Sequence, residues 1–195
     1  MKNNRAKKEF EKALFTLLKD KNYHDITVNE ICALASKTKM TFYRNYKDKD
    51  DLLAVASINL INTEYDEEYY KLLRKVTDVE EFEYLSLIAA YELVARHYSQ
   101  ITNLIYKGET LPLEIFKKSL FGNYSKYMSE LIKSAGYDVP ADYMSIFWFE
   151  GLYETCLYYS EQLKNKKNKK KVKEDMRKVC RLLAKAIVAI AKAEQ

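Results

Sequence analysis

Glycine and proline are scarce in this chain, with four Gly and two Pro in 195 residues. That argues against a turn-rich β architecture and fits a mostly α protein with short connections. Histidine is scarcer still, with only His24 and His97, so a protein-held metal centre is not expected. The three cysteines, Cys32, Cys156 and Cys180, are odd in number, far apart and set on apolar helical faces. They read as buried thiols in a reducing cytosol and not as disulfides or ligands. No run of about 18 uncharged apolar residues occurs, so no membrane span is expected. The opening MKNNRAKKEF is basic but no apolar run follows it, so no secretory signal is visible and a cytoplasmic location is expected. Catalysis needs a convergent set of titratable groups. No Ser/His/Asp set, HExxH pair or Gly-rich phosphate loop is present, so the chain is not expected to be an enzyme, and no cofactor is implied.

Charge is plentiful and uneven. Residues 1–50 hold 12 Lys/Arg against 7 Asp/Glu, residues 51–163 hold 9 against 18, and residues 164–195 hold 12 against 3. A basic head on an acidic body suits a protein that touches nucleic acid with one end. The basic run NKKNKKKVK, from Asn165 to Lys173, reads separately as a solvated loop, which is preferred to a second DNA contact.

The stretch Thr27 to Leu53 organises the head. Thr27 and Glu30 have the spacing of a capping box. Val28, Ile31, Cys32 and Ala35 then fall on one face of a two-turn helix. Ser36, Lys37 and Thr38 interrupt it. Thr38 can cap a second short helix from Lys39 to about Tyr46, whose outer side carries Lys39, Thr41, Tyr43 and Arg44. Asp48, with Asp51 three residues on, caps the next. Two such short helices must lean on neighbours. Periodicity and caps leave two readings open: a helix that enters a DNA major groove, or a helical hairpin with a solvated basic face.

The order Thr27–Val28, Ile31, Ala35, then Thr41–Phe42–Tyr43–Arg44–Asn45–Tyr46–Lys47–Asp48–Lys49 and Leu52 resembles the N-terminal DNA-binding domain of the tetracycline-repressor (TetR) family of transcriptional regulators. The resemblance covers roughly residues 5–60. Two departures stand out: Ser36-Lys37 occupies the turn where the family has Gly-Val, and Met40 sits where a small residue is common.

The resemblance implies an all-α fold of about nine helices. A helix-turn-helix DNA-binding domain would span residues 1–50, and a helical effector-binding and dimerisation domain residues 51–195. It implies a regulator, in the first instance a repressor, that binds palindromic double-stranded operator DNA as a homodimer and is released by a small-molecule effector. An activator or architectural DNA binder without a ligand is the alternative. The helix N-terminus and hydroxyl at Thr27 would hold a phosphate, with Lys37, Tyr43 and Lys49 on phosphates beside it and the capping Thr38 at the start of the reading helix. Lys39, Met40, Thr41 and Arg44 would read bases, Arg44 gripping a guanine edge and Met40 or the Thr41 methyl touching thymine. Phe42 and Tyr46 are assigned to the core. The effector pocket would draw on Tyr84, Tyr91, Tyr124, Met128, Trp148 and Tyr153, with Glu150 and His97 as polar guests.

Along the rest of the chain, a first helix is expected from about Asn4 to Asp20, with Asn22 in the left-handed conformation that ends it. Val76-Thr77-Asp78 reads as a break with a fresh cap. Gly151 sits mid-helix, as expected where another backbone or a ligand comes close. Val172, Met176, Val179, Leu183, Ala186 and Ile190 alternate spacings of four and three, a packing seam of coiled-coil type. Together with the helix before it, this suggests either a four-helix bundle made by two chains or a seam packed inside one subunit; the resemblance implies the dimer.

Overall fold

In the computed structural model the described residues are 2–64, 76, 78–105, 107–118, 141–166 and 168–192, with side chains over these ranges except 2–4, 61–64, 79, 141–149 and 190–192. The α-helices are α1 (Lys2–Leu17), α2 (Val28–Leu34), α3 (Lys39–Asn45), α4 (Lys49–Glu64), α5 (Val79–Arg96), α6 (Tyr98–Thr102), α7 (Ala141–Asn165) and α8 (Lys169–Lys192). A 3-10 turn spans Tyr23–Asp25, and residues 111–118 are also helical. Among the described residues no β-strand occurs, so the fold class is the all-α one expected.

The chain divides into two compact units. Unit 1 is residues 1–64 with 99–120, and unit 2 is residues 65–98 with 121–195.

Unit 1 is assembled around α1, which packs against α2, α3 and α4. Ala6, Phe10, Ala13 and Leu14 recur at helical spacing and are all buried, the stripe that makes α1 a central strut. The helix does not end on a left-handed residue. Asn22 is extended, with φ −63° and ψ 144°. Lys19 N–H donates to Thr16 O and Lys21 N–H to Leu17 O, so tightening turns satisfy the last carbonyls and no left-handed cap is needed.

The cap at Thr27 has both halves of its box. The Thr27 hydroxyl accepts from Glu30 N–H at 3.3 Å, and the Glu30 carboxylate accepts from Thr27 N–H at 2.9 Å. At the far end of α2, Ser36 N–H donates to Ala33 O at 3.1 Å and Lys37 N–H to Cys32 O at 2.9 Å. These are the two bonds of a Schellman motif. The left-handed residue it requires is Ser36, at φ 52°, so serine adopts the conformation that glycine supplies elsewhere. Thr38 then caps α3 by accepting from Thr41 N–H at 3.2 Å. Asp48 accepts from Asp51 N–H at 2.8 Å ahead of α4, and Asp51 accepts from Lys47 N–H at 2.9 Å.

The later part of this unit closes on the head. Tyr23 N–H donates to Asn103 O at 2.8 Å, and the Asn103 side chain donates to Leu18 O at 2.9 Å. Leu104, Leu113 and Phe116 are buried.

Unit 2 packs α5 against α7 and α8, and α7 against α8. Asp78 caps α5, accepting from Glu81 N–H at 2.7 Å. The buried face of α8 is Val172, Met176, Cys180, Ala184 and Ile187. Of the expected seam, Val172 and Met176 lie on this inner face, Val179 is exposed, Leu183 and Ala186 are half-exposed, and the Ile190 side chain is outside the described residues. The lysine run differs from expectation. Asn165 ends α7, and Lys169 to Lys173 form the first turns of α8. Asn168 accepts from Lys171 N–H at 3.0 Å, and buried Val172 ties the turn to the core. A side-chain cap and a buried anchor overcome the like-charge repulsion that favours a loop.

Candidate nucleic-acid interface

The short helix α3 is held from beneath and open above. Its inward anchor is Phe42, fully buried, whose ring meets Phe10 edge-on at 5.4 Å and lies 5.7 Å from Tyr46. Such aromatic pairs add to the burial of their area. Tyr46 follows the last turn and is itself buried. Its hydroxyl donates to Glu11 Oε1 at 3.1 Å, and Asn59 donates to the same oxygen at 2.9 Å. Glu11 is thus a carboxylate buried under α3, a residue the sequence pattern did not single out. It lies beside Phe10 on the apolar face of α1, and only the meeting of α1, α3 and α4 reveals its donors.

The outer side of α3 carries the expected set. Met40 is 81% exposed and Tyr43 57%, and Thr38, Lys39 and Arg44 are exposed as well. Thr41 is half-buried; its hydroxyl lies 3.1 Å from that of Thr38, and its carbonyl accepts from Asn45 at 2.7 Å. The Phe42 ring also meets Tyr43 edge-on at 5.3 Å, which fixes the direction in which the Tyr43 ring stands out. The structure therefore brings Thr38, Lys39, Met40, Thr41, Tyr43 and Arg44 together around one exposed helix.

The flanking basic residues are more constrained. Lys37 is paired with Glu9 at 2.6 Å, and Arg5 also reaches Glu9, at 3.1 Å. These two cations, Lys37 first, hold the Glu9 carboxyl below the usual range. Lys49 is half-buried. Its ammonium donates to Tyr23 O at 2.7 Å and to Ile26 O at 2.8 Å and stands 4.2 Å over the Tyr23 ring. Burial lowers its pKa against the pull of Asp50, Asp25 and Glu30. With three N–H donors on an ammonium, one remains for a phosphate. Thr27 is exposed, but its hydroxyl is engaged with Glu30 in both directions. Glu30 is held down to about 2, first by Lys21, which donates to it at 2.5 Å, and then by Thr27.

Of the aromatic residues assigned to an effector pocket, three are placed. Tyr91 is buried; its hydroxyl donates to Thr155 at 2.8 Å and its ring lies 5.6 Å from that of Tyr159. Burial pushes its phenol up to about 12. It forms part of a groove of about 250 Å³ lined also by Thr155, Tyr158, Gln162, Met176 and Val179. Tyr153 is buried and does not line this groove. Tyr84 lies under the Arg181 guanidinium at 3.6 Å, and Arg181 also donates to Glu81 at 2.6 Å. Tyr124 and Met128 lie outside the described residues, as does the side chain of Trp148. Glu150 and His97 are each half-buried. Among the described residues no group of three His, Cys, Asp or Glu could hold a metal ion, and no helix is long and apolar enough to cross a membrane.

No family model and no curated protein matches this chain. Solved structures do. A candidate TetR-family transcriptional regulator from Syntrophomonas wolfei superposes with a TM-score of 0.66 at 17% identity, covering 97% of this chain and 96% of its own. The architecture is that of the TetR regulators. The fatty acid degradation regulator FadR from Bacillus halodurans gives a TM-score of 0.65 at 16% identity, over 90% of this chain and 94% of that one. A candidate transcriptional regulator from Pseudomonas aeruginosa gives 0.63 at 16% identity, over 97% and 93%. The likeness in fold thus extends over nearly the full length of each chain, well past the head in which the sequence motif lies.

Proposed function

We propose that this protein is a TetR-type transcriptional regulator, a cytoplasmic non-enzymatic repressor that binds a palindromic duplex operator as a homodimer and is released by a small molecule. The observation that carries the reading is the outer side of α3, where Met40 and Tyr43 stand in solvent on a helix anchored by fully buried Phe42. There an apolar side chain 81% exposed shares one helix face with two exposed cations, Lys39 and Arg44, a set suited to a thymine methyl and a guanine edge. Thr27, Lys37, Tyr43 and Lys49 flank it as phosphate ligands. Dimerisation is assigned to α7 and α8. Leu182 is 68% exposed, Tyr158 63% and Val179 43%, so both helices carry exposed apolar side chains, and at Gly151 an added Cβ would meet nothing within 4 Å, leaving room for another backbone.

The deciding experiment is selection of bound duplexes from a random pool. A two-fold-related motif with half-sites one or more helical turns apart supports the reading, and Arg44→Ala should then bind with relaxed sequence preference. Recovery of no duplex at low ionic strength would end it. Two solved neighbours are named for fatty acid degradation and fatty acid metabolism, so fatty acids are the first compounds to test for release of the selected duplex.

A further inference from the structure

Unit 2 carries a second, shorter and denser concentration of positive charge. Seven lysines fall between residues 164 and 173, and no Asp or Glu lies among them. Lys164, Lys166, Lys169, Lys170 and Lys173 are all exposed. Among the described residues, only Lys171 of this group is ion-paired, with Asp175 at 2.9 Å. Lys164 rests 5.5 Å from the centre of the Tyr98 ring, which sets the turn beside the end of α5.

The arrangement is costly as it stands. Lys169, Lys170 and Lys171 occupy the first turn of α8, where no acidic residue is present and where cations oppose the helix dipole. Like charges crowd the same turn. A solvated loop could relieve this by spreading out, but the Asn168 cap and buried Val172 hold the lysines in register. The apolar side chain of the run is Val172, and it is buried, so nothing exposed here could wedge into lipid acyl chains. No Arg is present between 164 and 173, so planar two-bond recognition of a base or a carboxylate is absent and point-charge contact with phosphates remains.

We propose that the α7–α8 turn is a second, sequence-independent contact for duplex DNA, in which Lys166, Lys169, Lys170 and Lys173 lie on backbone phosphates. The inference rests on the function proposed above and adds to it a surface outside the recognition head. It gives the protein an affinity term that does not depend on the bases read by α3.

The test compares the wild-type protein with a variant carrying Lys166→Gln, Lys169→Gln, Lys170→Gln and Lys173→Gln, and with a control carrying Lys178→Gln and Lys185→Gln farther along α8. Binding to one selected duplex and one scrambled duplex is measured across a series of salt concentrations. Removing a lysine from one phosphate should lower the salt slope by about 0.9, so the fourfold variant should lose at least one unit of slope on both duplexes, while the control keeps the wild-type slope. The fourfold variant should melt no lower than wild type, because the removed charges oppose the dipole. An unchanged slope, or an equal fall in the control, overturns the proposal. So does unchanged DNA binding with loss of binding to phosphatidylglycerol vesicles, which would make the partner a membrane. A wild-type protein that binds neither duplex refutes the repressor reading itself, a result distinct from all of these.

Discussion

The Tyr46 hydroxyl, just past the end of α3, donates to the Glu11 carboxylate of α1 at 3.1 Å, with both residues buried. This bond ties the exposed helix to the strut beneath it. Tyr46→Phe leaves Glu11 with Asn59 as its remaining donor among the described residues. A buried carboxylate short of a donor costs about 1–3 kcal/mol. Denaturant unfolding should show the loss as a lower midpoint with an unchanged slope. A midpoint equal to wild type would mean that water replaces the hydroxyl freely.

Ser36 is the left-handed residue of the turn between α2 and α3, at φ 52°. A residue with a Cβ pays roughly 1 kcal/mol or more for that conformation. Ser36→Gly should therefore raise stability by about 0.5–1 kcal/mol after the larger backbone entropy of glycine is counted. Thermal melting checks the sign. A lower melting point would show that the serine side chain contributes more than its strain removes.

Lys49 serves two roles that one variant can separate. Lys49→Ala frees two carbonyls, Tyr23 O and Ile26 O, and should lower stability by about 1 kcal/mol. If its third N–H reaches DNA, the same variant weakens binding to every duplex and flattens the salt slope by about one unit. Titrations well below the melting temperature keep the two effects apart. Reduced stability with an unaltered slope would assign Lys49 to the fold alone.

Glu30 makes the head sensitive to acid. Lys21 and the Thr27 cap lower its carboxyl from 4.5 to about 2 in the folded chain. A depressed carboxylate adds stability that is fully present above the unfolded value, near 4.5, and is lost as pH falls toward 2. Glu30→Gln should narrow its gap to wild type across that window and match it near pH 2. The group is in contact with solvent, so salt should shrink the effect. A gap that stays constant from pH 6 to pH 2 would contradict the assignment.

Leu182 is 68% exposed on α8 with Val179 beside it at 43%. Leu182→Glu should weaken self-association by about 3 kcal/mol, roughly 100-fold, if this ridge is the dimer face. Sedimentation analysis reads the result, with circular dichroism confirming intact helices. A variant that remains as dimeric as wild type would move the interface elsewhere.

Along the chain, what is legible without coordinates is what depends on neighbours three or four residues away. The caps at Thr27, Thr38, Asp48 and Asp78 involve donors within one turn, and the burial of Phe10, Ile31, Phe42 and Tyr46 follows from helical spacing. The same locality explains two errors. Residue type alone makes Asn22 left-handed, and charge alone makes the lysine run a loop. Each is decided instead by bonds and burial that reach beyond the short pattern around it.

The sequence by itself determined that the chain is helical, where α2, α3 and α4 begin, and which side of α3 faces out, because spacing and capping act within a turn or two. Tertiary structure alone decided that Glu11 is buried beneath Tyr46, that Glu9 holds Lys37, that Lys49 donates to Tyr23 O and Ile26 O, and that Asn103 closes onto Tyr23. Those pairings join residues from 23 to 80 positions apart. Their partners are fixed by which helix faces meet when the core closes, and that geometry is not contained in any local stretch of the chain.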